Sequence, residues 1–377
     1  MLLTKGKLIA IVSNSAWSVY NFRLDVIRNL VREGFDILVI ATTDEYTPLL
    51  KAAGCRFVHV YFNNRTGNPF DDFRFYLKLK SIYRHFKPDF IFHYVTKPNI
   101  YGSLAAASLN IPSVAVITGL GYAFARKNWL NLLVKYLYRK ALGQVKETWF
   151  LNKEDADQFL ERKIVSGSNI KILPGEGVNT DRFRSDKNKS GQQQHPFRFL
   201  MTTRLLKSKG IPVYAEAARI LKSRGLAVDC RMIGFFEKQH PDSLTVEDIN
   251  QWQKEGLIVY DGFAKDVKPF LEQADCLVFP SAYNEGVPRC LMEAASMELP
   301  VITTANPGCK EVLVDQVTGF FCRVNDPEDL AAKMESMMRL SVSARAQMGS
   351  RGRELVVRKF EVSKIFAEYT RVLGDGN

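Results

Sequence analysis

The run FPSAYNEGVPRCLMEAASMELPVITT (279–304) holds the residues best suited to chemistry. It reads as an apolar strand, a loop carrying Glu285 and Gly286, and a helix opening at Pro288, a residue favoured in the first turn. Backbone N–H groups and the positive end of the helix dipole make such a loop an anion site that suits a phosphate. Gly286 lets the backbone come close. Glu293 falls inside the helix, where a carboxylate can accept two hydrogen bonds from a vicinal diol such as ribose. A plainer alternative fits the same letters: Glu285 complements the helix dipole and Glu293 sits on a solvated face.

A second run, TTRLLKSKGI (202–211), sets Arg204 and Lys209 directly after a strand end. Two cations there would meet phosphates held by the Glu285–Pro288 loop and stabilise a departing diphosphate. A solvated basic loop is the alternative. Gly119 and Gly121 in ITGLGYAF (117–124) follow another strand and could line a cleft, although a tight turn explains them equally. Asp155 and Asp157 form an Asp-x-Asp pair of the kind that holds Mg²⁺ against a diphosphate. Their context, LNKE before and QFLER after, is that of a helix's acidic first turn. The five histidines are scattered, and no metal site is expected.

These loops need elements to position them. Apolar runs rich in Val, Ile and Phe at 7–13, 35–42, 56–62, 89–95, 113–118 and 148–153 read as buried strands. Helical patterns at 21–34 and 69–86 lie between them and stop at Gly34 and Pro88. The polar stretch 181–196 reads as a linker. The alternation then resumes, with strands at 197–203, 228–234, 257–262, 276–281 and 300–304 and helices at 210–224 and 288–298. The order predicts an α/β chain of two doubly wound parallel sheets, in residues 1–183 and 184–357, with a ligand cleft between them. A last helix over about 355–373 is not assignable to either sheet by pattern.

The 377 residues carry a formal net charge of +12. Residues 1–187 hold 27 Lys+Arg and 16 Asp+Glu, against 25 and 24 in the remainder. The excess therefore lies in the first half, which is expected to face something anionic. Its densest part is 126–146, with Arg126, Lys127, Lys135, Arg139 and Lys140 set among Trp129, leucines and tyrosines at helical spacing. Such a helix can lie in a membrane interface, or simply pack on the core with its lysines in water. No apolar run reaches the length of a membrane span. The N-terminus reads as a first strand and not as a signal peptide. Six cysteines without a CxxC pair suggest reduced thiols in a cytoplasmic setting.

Taken together, these residues resemble glycosyltransferase family 4. The likeness lies in Glu285 and Glu293 within PSAYNEGVPRCLMEA, in RLLKSKG (204–210), in PGEGVNTDRF (174–183), and in HYVTKPNIYG with ITGLGYAF. The last two resemble the branch that builds polyprenyl-diphosphate-linked oligosaccharides for bacterial surface polysaccharide or protein glycosylation. The resemblance implies a GT-B fold and a retaining, metal-independent enzyme whose donor is a UDP-sugar. Arg204 and Lys209 would bind the diphosphate, Glu285 the transferred sugar and Glu293 the ribose. Backbone at Gly286, Val287 and Pro288 would hold phosphate or sugar hydroxyls, with Gly234 and Phe263 near the base. The final helix, about 358–377, would cross back to the first domain. Many members have Gly-Gly after the first strand; here Ser15 and Ala16 stand in that place. His93, Lys97 and Asn99 are the first-domain candidates for the acceptor side.

The implied activity is transfer of N-acetylgalactosamine, N-acetylglucosamine or galactose from UDP to a lipid-diphosphate saccharide, with an α linkage. The protein would sit peripherally on the inner face of the cell membrane. A UDP-sugar epimerase of the same architecture would need no lipid acceptor. A non-catalytic sugar-nucleotide binder is usually exported. A nucleic-acid binder, suggested by the basic charge, has no zinc spacing or recognisable motif to support it.

Overall fold

The computed structural model describes residues 6–61, 68–119, 129–185, 196–237, 240–283 and 286–374. The chain divides into two compact units, one of 1–176 with 362–377 and one of 177–361.

Seven strands form the first sheet: β1 Leu8–Ser15, β2 Asp36–Thr42, β3 Cys55–His59, β4 Phe90–Tyr94, β5 Ser113–Ile117, β6 Glu147–Phe150 and β7 Ile170–Ile172. They are parallel, in the order β3-β2-β1-β4-β5-β6-β7. The apolar runs are continuous because both faces are covered. Along β1, Ile9 and Ile11 join one core while Leu8, Ala10 and Val12 join another. The helices Ala16–Arg32 and Val362–Gly374 lie on the first face, and Pro69–Phe86 and Ser103–Ala107 on the second.

The second sheet has six parallel strands: β8 Phe197–Thr202, β9 Val228–Ile233, β10 Val259–Tyr260, β11 Cys276–Phe279, β12 Val301–Thr304 and β13 Gly319–Cys322. Their order is β10-β9-β8-β11-β12-β13. Strand order thus reverses between β1 and β4 in one sheet and between β8 and β11 in the other. In doubly wound sheets, such a reversal is where neighbouring loops part and ligands bind beyond the carboxyl ends.

The structure moves two expected boundaries. The chain leaves the first unit after Glu176, not after residue 183. Val178 and Phe183 are buried in the second unit's core, and the Val178 N–H donates to the Phe360 carbonyl at 2.9 Å. The C-terminal helix is also two helices, Val342–Phe360 and Val362–Gly374, parted at Glu361. Glu361 is extended there, and its carboxylate accepts from the N–H and hydroxyl of Thr180. Only the second of these helices belongs to the first unit. Its Tyr369 is buried, with its ring 4.6 Å from that of Phe92 and 5.0 Å from that of Trp149, and its hydroxyl bonds that of Tyr94.

Truncating such a residue removes packing on several sides. Tyr369→Ala is expected to cost about 3–5 kcal/mol. Urea unfolding followed by tryptophan fluorescence, to which the adjoining Trp149 contributes, measures this loss.

Candidate functional site

In the second unit, two loops at the β8/β11 reversal are built as one piece. After β8 the chain passes Arg204 and a tight turn, Lys207–Lys209, before Gly210 starts the helix Ile211–Ser223. Gly210 has φ +83°, and a Cβ on it would fall 2.1 Å from the Pro280 carbonyl oxygen. Only glycine allows that approach. Hydrogen bonds continue the seam. The Ala282 N–H donates to the Ser208 carbonyl at 2.8 Å, and Thr304 Oγ1 and Asn306 Nδ2 each donate to the Ser281 carbonyl at 2.6 Å.

The seam sets the cations. Lys209 is buried, with Nζ 5.8 Å from the Phe279 ring centroid and 5.4 Å from that of Tyr283. Arg204 is half-buried, and its Nη1 donates to Glu237 Oε2 at 2.7 Å. Both therefore stand at the carboxyl edge where an anion can be met. The sequence named these cations but missed Glu237, the carboxylate that orients one of them.

Beyond β11 the helix runs over Arg289–Ser296. Pro288 stands just before it as the cap, not in its first turn, because its ψ of 124° is extended. Val287 and Pro288 are buried and Gly286 half-buried. Glu293 is buried, so the solvated-face alternative fails. Arg289 Nε donates to Glu293 Oε1 at 2.7 Å. Burial raises the Glu293 carboxyl above the usual carboxylate range, Arg289 and Arg182 pull it back, and Asp266 adds to the rise. The far end of the helix is pinned by Arg353, whose Nη1 donates to the carbonyls of Thr180, Phe183 and Ser296.

Gly234 is required by packing: a Cβ there would lie 1.8 Å from the Thr203 carbonyl oxygen. Phe263 is exposed and meets Phe235 edge to face, with centroids 5.8 Å apart and planes at 89°. These two rings near the carboxyl ends of β9 and β10 offer an aromatic surface to a planar base.

The first unit is more closed at its β1/β4 reversal. Strand β1 runs straight into the helix Ala16–Arg32, with Ser15 as its cap and Ala16 buried. Ser15 Oγ accepts from the Ser18 N–H at 3.1 Å, and Asp44 Oδ2 accepts from the Trp17 N–H at 2.7 Å. Those first-turn donors are already engaged by the chain. His93 is fully buried, with Nε2 3.0 Å from the Tyr83 hydroxyl and Nδ1 3.3 Å from that of Ser103. Burial pushes its pKa down to about 3. His93 is thus a neutral packed strand residue, a correction to its expected place near the acceptor. Asn99 is likewise interior, its Nδ2 donating to the Val116 carbonyl at 2.9 Å. Lys97 Nζ bonds Asp72 Oδ1 at 2.6 Å, and Tyr101 donates to the other oxygen at 2.9 Å. Gly119 is half-buried after β5.

What the sequence missed here is Arg23. Its buried guanidinium lies 4.1 Å over the Tyr94 ring, donates to the Ser18 carbonyl at 3.0 Å, and pairs with Glu176. The letters SNSAWSVYNFR hide it, because an arginine on a helix normally reads as a surface residue.

Glu285, Gly121, Arg126, Lys127 and the side chain of Trp129 lie outside the described residues. Of the other basic candidates, Arg139 turns back to donate to the Lys163 carbonyl at 2.7 Å. Lys140 is exposed with Nζ 5.8 Å from the Tyr136 ring, and Lys135 is half-buried. The Asp-x-Asp pair is structural. Asp155 is buried and accepts from Asn152 at the helix start, while Asp157 pairs with Lys153 at 2.6 Å. Among the described residues no three or more His, Cys, Asp or Glu cluster as metal ligands.

Residues 182–355 match the family described as glycosyl transferases group 1, and residues 8–146 the family described as glycosyl transferase 4-like. The matches cover most of both units: the chain belongs to glycosyltransferase family 4, with its two-unit GT-B fold. It is 25% identical over 345 residues to the N,N'-diacetylbacillosaminyl-diphospho-undecaprenol alpha-1,3-N-acetylgalactosaminyltransferase of Campylobacter jejuni, with 88% of this chain and 89% of that protein covered. It is 24% identical to the UDP-Gal:alpha-D-GlcNAc-diphosphoundecaprenol alpha-1,3-galactosyltransferase of Escherichia coli, over 68% of this chain and 67% of that one. Among solved structures, Anabaena Alr3699/HepE in complex with UDP and glucose is similar with a TM-score of 0.80 at 16% identity, covering 98% of this chain and all of the other.

Three outcomes follow from the geometry. Gly234→Ala is expected to destabilise the second unit by about 2 kcal/mol, from backbone displacement at Thr203, as read by denaturant midpoint. Arg289→Ala should raise the Glu293 pKa further, because it removes the nearest cation; carboxyl-carbon NMR titration measures it. His93 takes up a proton more readily in the unfolded chain, so it draws stability from the first unit as pH falls below about 6.5. Urea midpoints at pH 7 and pH 5 should fall in that order, and the fall should shrink in His93→Gln.

Proposed function

We propose that this glycosyltransferase moves a single sugar from a UDP-sugar to a polyprenyl-diphosphate-linked saccharide, forming an α linkage with retention and without a metal. The observation that carries the reading is the joined loop pair at the β8/β11 reversal, where Lys209 and Arg204 stand at the edge of one crevice with the Arg289–Ser296 helix beyond it. The Campylobacter and Escherichia relatives are named for acceptors of this kind. The Anabaena structure carries UDP on the same fold.

The roles follow from charge. Lys209 and Arg204 neutralise the diphosphate as it leaves, and the backbone N–H groups of Gly286 and Val287, with those of the helix start, donate to it. Glu293, oriented by Arg289, accepts from the ribose hydroxyls. Phe263, backed by Phe235, lies against the base, and Glu285 contacts the sugar. On the acceptor side, Ser15, Lys97 and Gly119 are the partly exposed first-unit candidates, with the Lys97 ammonium held by Asp72. N-acetylgalactosamine is the favoured donor sugar, with N-acetylglucosamine and galactose behind it. The protein is proposed to act peripherally on the cytoplasmic face of the membrane, where the helix Trp129–Leu142 exposes Leu132, Leu133 and Tyr136.

The test is a panel of UDP-sugars against a short-chain polyprenyl-diphosphate saccharide, read by mass, with the anomer assigned by NMR. One added hexose or N-acetylhexosamine in α linkage, undiminished by EDTA, is expected. Arg204→Ala should lower turnover ~10²-fold, the scale of losing one preorganised donor at a developing charge. Turnover close to that of the unaltered enzyme would remove Arg204 from the mechanism. Isomerised UDP-sugar without acceptor would establish the epimerase instead.

A further inference from the structure

The helix Pro69–Phe86 shows a side that the core does not use. Its inward residues Phe75, Leu79, Ile82 and Tyr83 are buried. The opposite side carries Phe70, Phe73 and Leu77, exposed by 60%, 56% and 47%. These sit at i, i+3 and i+7, so they form one stripe. Exposed Arg74, Lys78 and Arg84 run beside it, and the Arg74 guanidinium lies 4.4 Å over the Phe70 ring. Asp71, the acid on this side, is held by Asn68 Nδ2 at 3.0 Å in the helix's first turn. Asp72 turns inward to Lys97 and Tyr101.

A second exposed stripe lies over the same sheet face. The helix Trp129–Leu142 packs on the same segment, residues 98–107, as Pro69–Phe86 does. Leu132 and Tyr136 on it are exposed by 68% and 55%. Two helices over one sheet face therefore both present large apolar residues among cations.

We propose that Pro69–Phe86 is an interfacial membrane anchor. Phe70, Phe73 and Leu77 enter the headgroup–acyl boundary of an anionic bilayer while Arg74, Lys78 and Arg84 meet lipid phosphates. Charge complementarity selects this partner. Short apolar stripes flanked by long basic side chains suit a boundary that is apolar on one side and anionic on the other. The positive excess of the first 187 residues adds long-range attraction to the same surface. The inference rests on the reading that the acceptor is lipid-borne, and it gives this helix the main share of holding the first unit at that lipid.

The full chain is mixed with phosphatidylcholine vesicles, with and without phosphatidylglycerol, and bound protein is measured by sedimentation. The triple variant Phe70→Ser, Phe73→Ser, Leu77→Ser is compared with Arg74→Gln, Lys78→Gln, Arg84→Gln. The apolar triple should lose about tenfold or more in partitioning, since each residue removes apolar burial worth a large fraction of a tenfold step. The basic triple should lose the preference for phosphatidylglycerol. Both should keep UDP affinity and transfer to a soluble short-chain acceptor, while transfer to a bilayer-embedded acceptor falls with partitioning. If the apolar triple has lost UDP affinity, Phe73→Ser alone replaces it, with a several-fold drop expected. Vesicle binding equal to the unaltered chain overturns the proposal. So does light scattering that shows a dimer for the unaltered chain and a monomer for the triple, which would give the stripe to a second copy. Absence of transfer to any lipid diphosphate, with vesicle binding still lost in the triple, would sink the acceptor reading and leave the anchor standing.

Discussion

The loops around Arg204 and Lys209 depend on two places where backbone meets backbone with no room for a side chain. At Gly210 a Cβ would lie 2.1 Å from the Pro280 carbonyl oxygen, and at Gly234 it would lie 1.8 Å from that of Thr203. The first contact presses the end of β11 onto the turn after β8. The second presses the end of β9 onto the same connection. Three loops are thereby fixed at one crevice, and the buried ammonium of Lys209 and the ion-paired guanidinium of Arg204 have a frame that does not need to reorganise around an incoming charge. Any larger residue at either glycine would push apart the backbones that set these cations.

The same topology yields a different site in the first unit. Its reversal between β1 and β4 is filled by the chain itself. Arg23 is folded inward over Tyr94 and paired with Glu176, and the first-turn N–H groups of Trp17 and Ser18 are taken by Asp44 and Ser15. A buried guanidinium is tolerable there because the carboxylate, the Ser18 carbonyl and an aromatic face surround it. Glu176 is also the last residue before the chain enters the second unit, so this ion pair anchors the end of the first unit's main segment to its sheet. Fold alone therefore does not decide which reversal stays open; the side chains at the strand ends do.

Much of the fold was legible in the letters. The strands β1 to β6 and β8 to β12 fall within a few residues of the apolar runs, because strands buried on both faces must be continuously apolar. The helix Pro69–Phe86 matches its sequence bounds, since Asn68 caps it and Lys87 with Pro88 ends it. The short edge strands β7 and β13 were missed, having too few residues to form a pattern. The break at Glu361 was missed as well, because helical periodicity runs through it and only the bond from Thr180 shows that the chain turns there.

By itself the sequence determined the alternation of elements, the two sheets and the position of Arg204 and Lys209 just after β8, because these depend on local spacing and on which residues can be buried. It could not decide burial among residues of one type. His93 and Lys97 lie four apart, yet one is sealed beneath Gly102 and the other pairs with Asp72 from a distant helix. Phe75 is core while Phe73 faces outward, although both sit in the same amphipathic run. Such choices depend on neighbours far along the chain, which only the packed tertiary structure brings within contact distance.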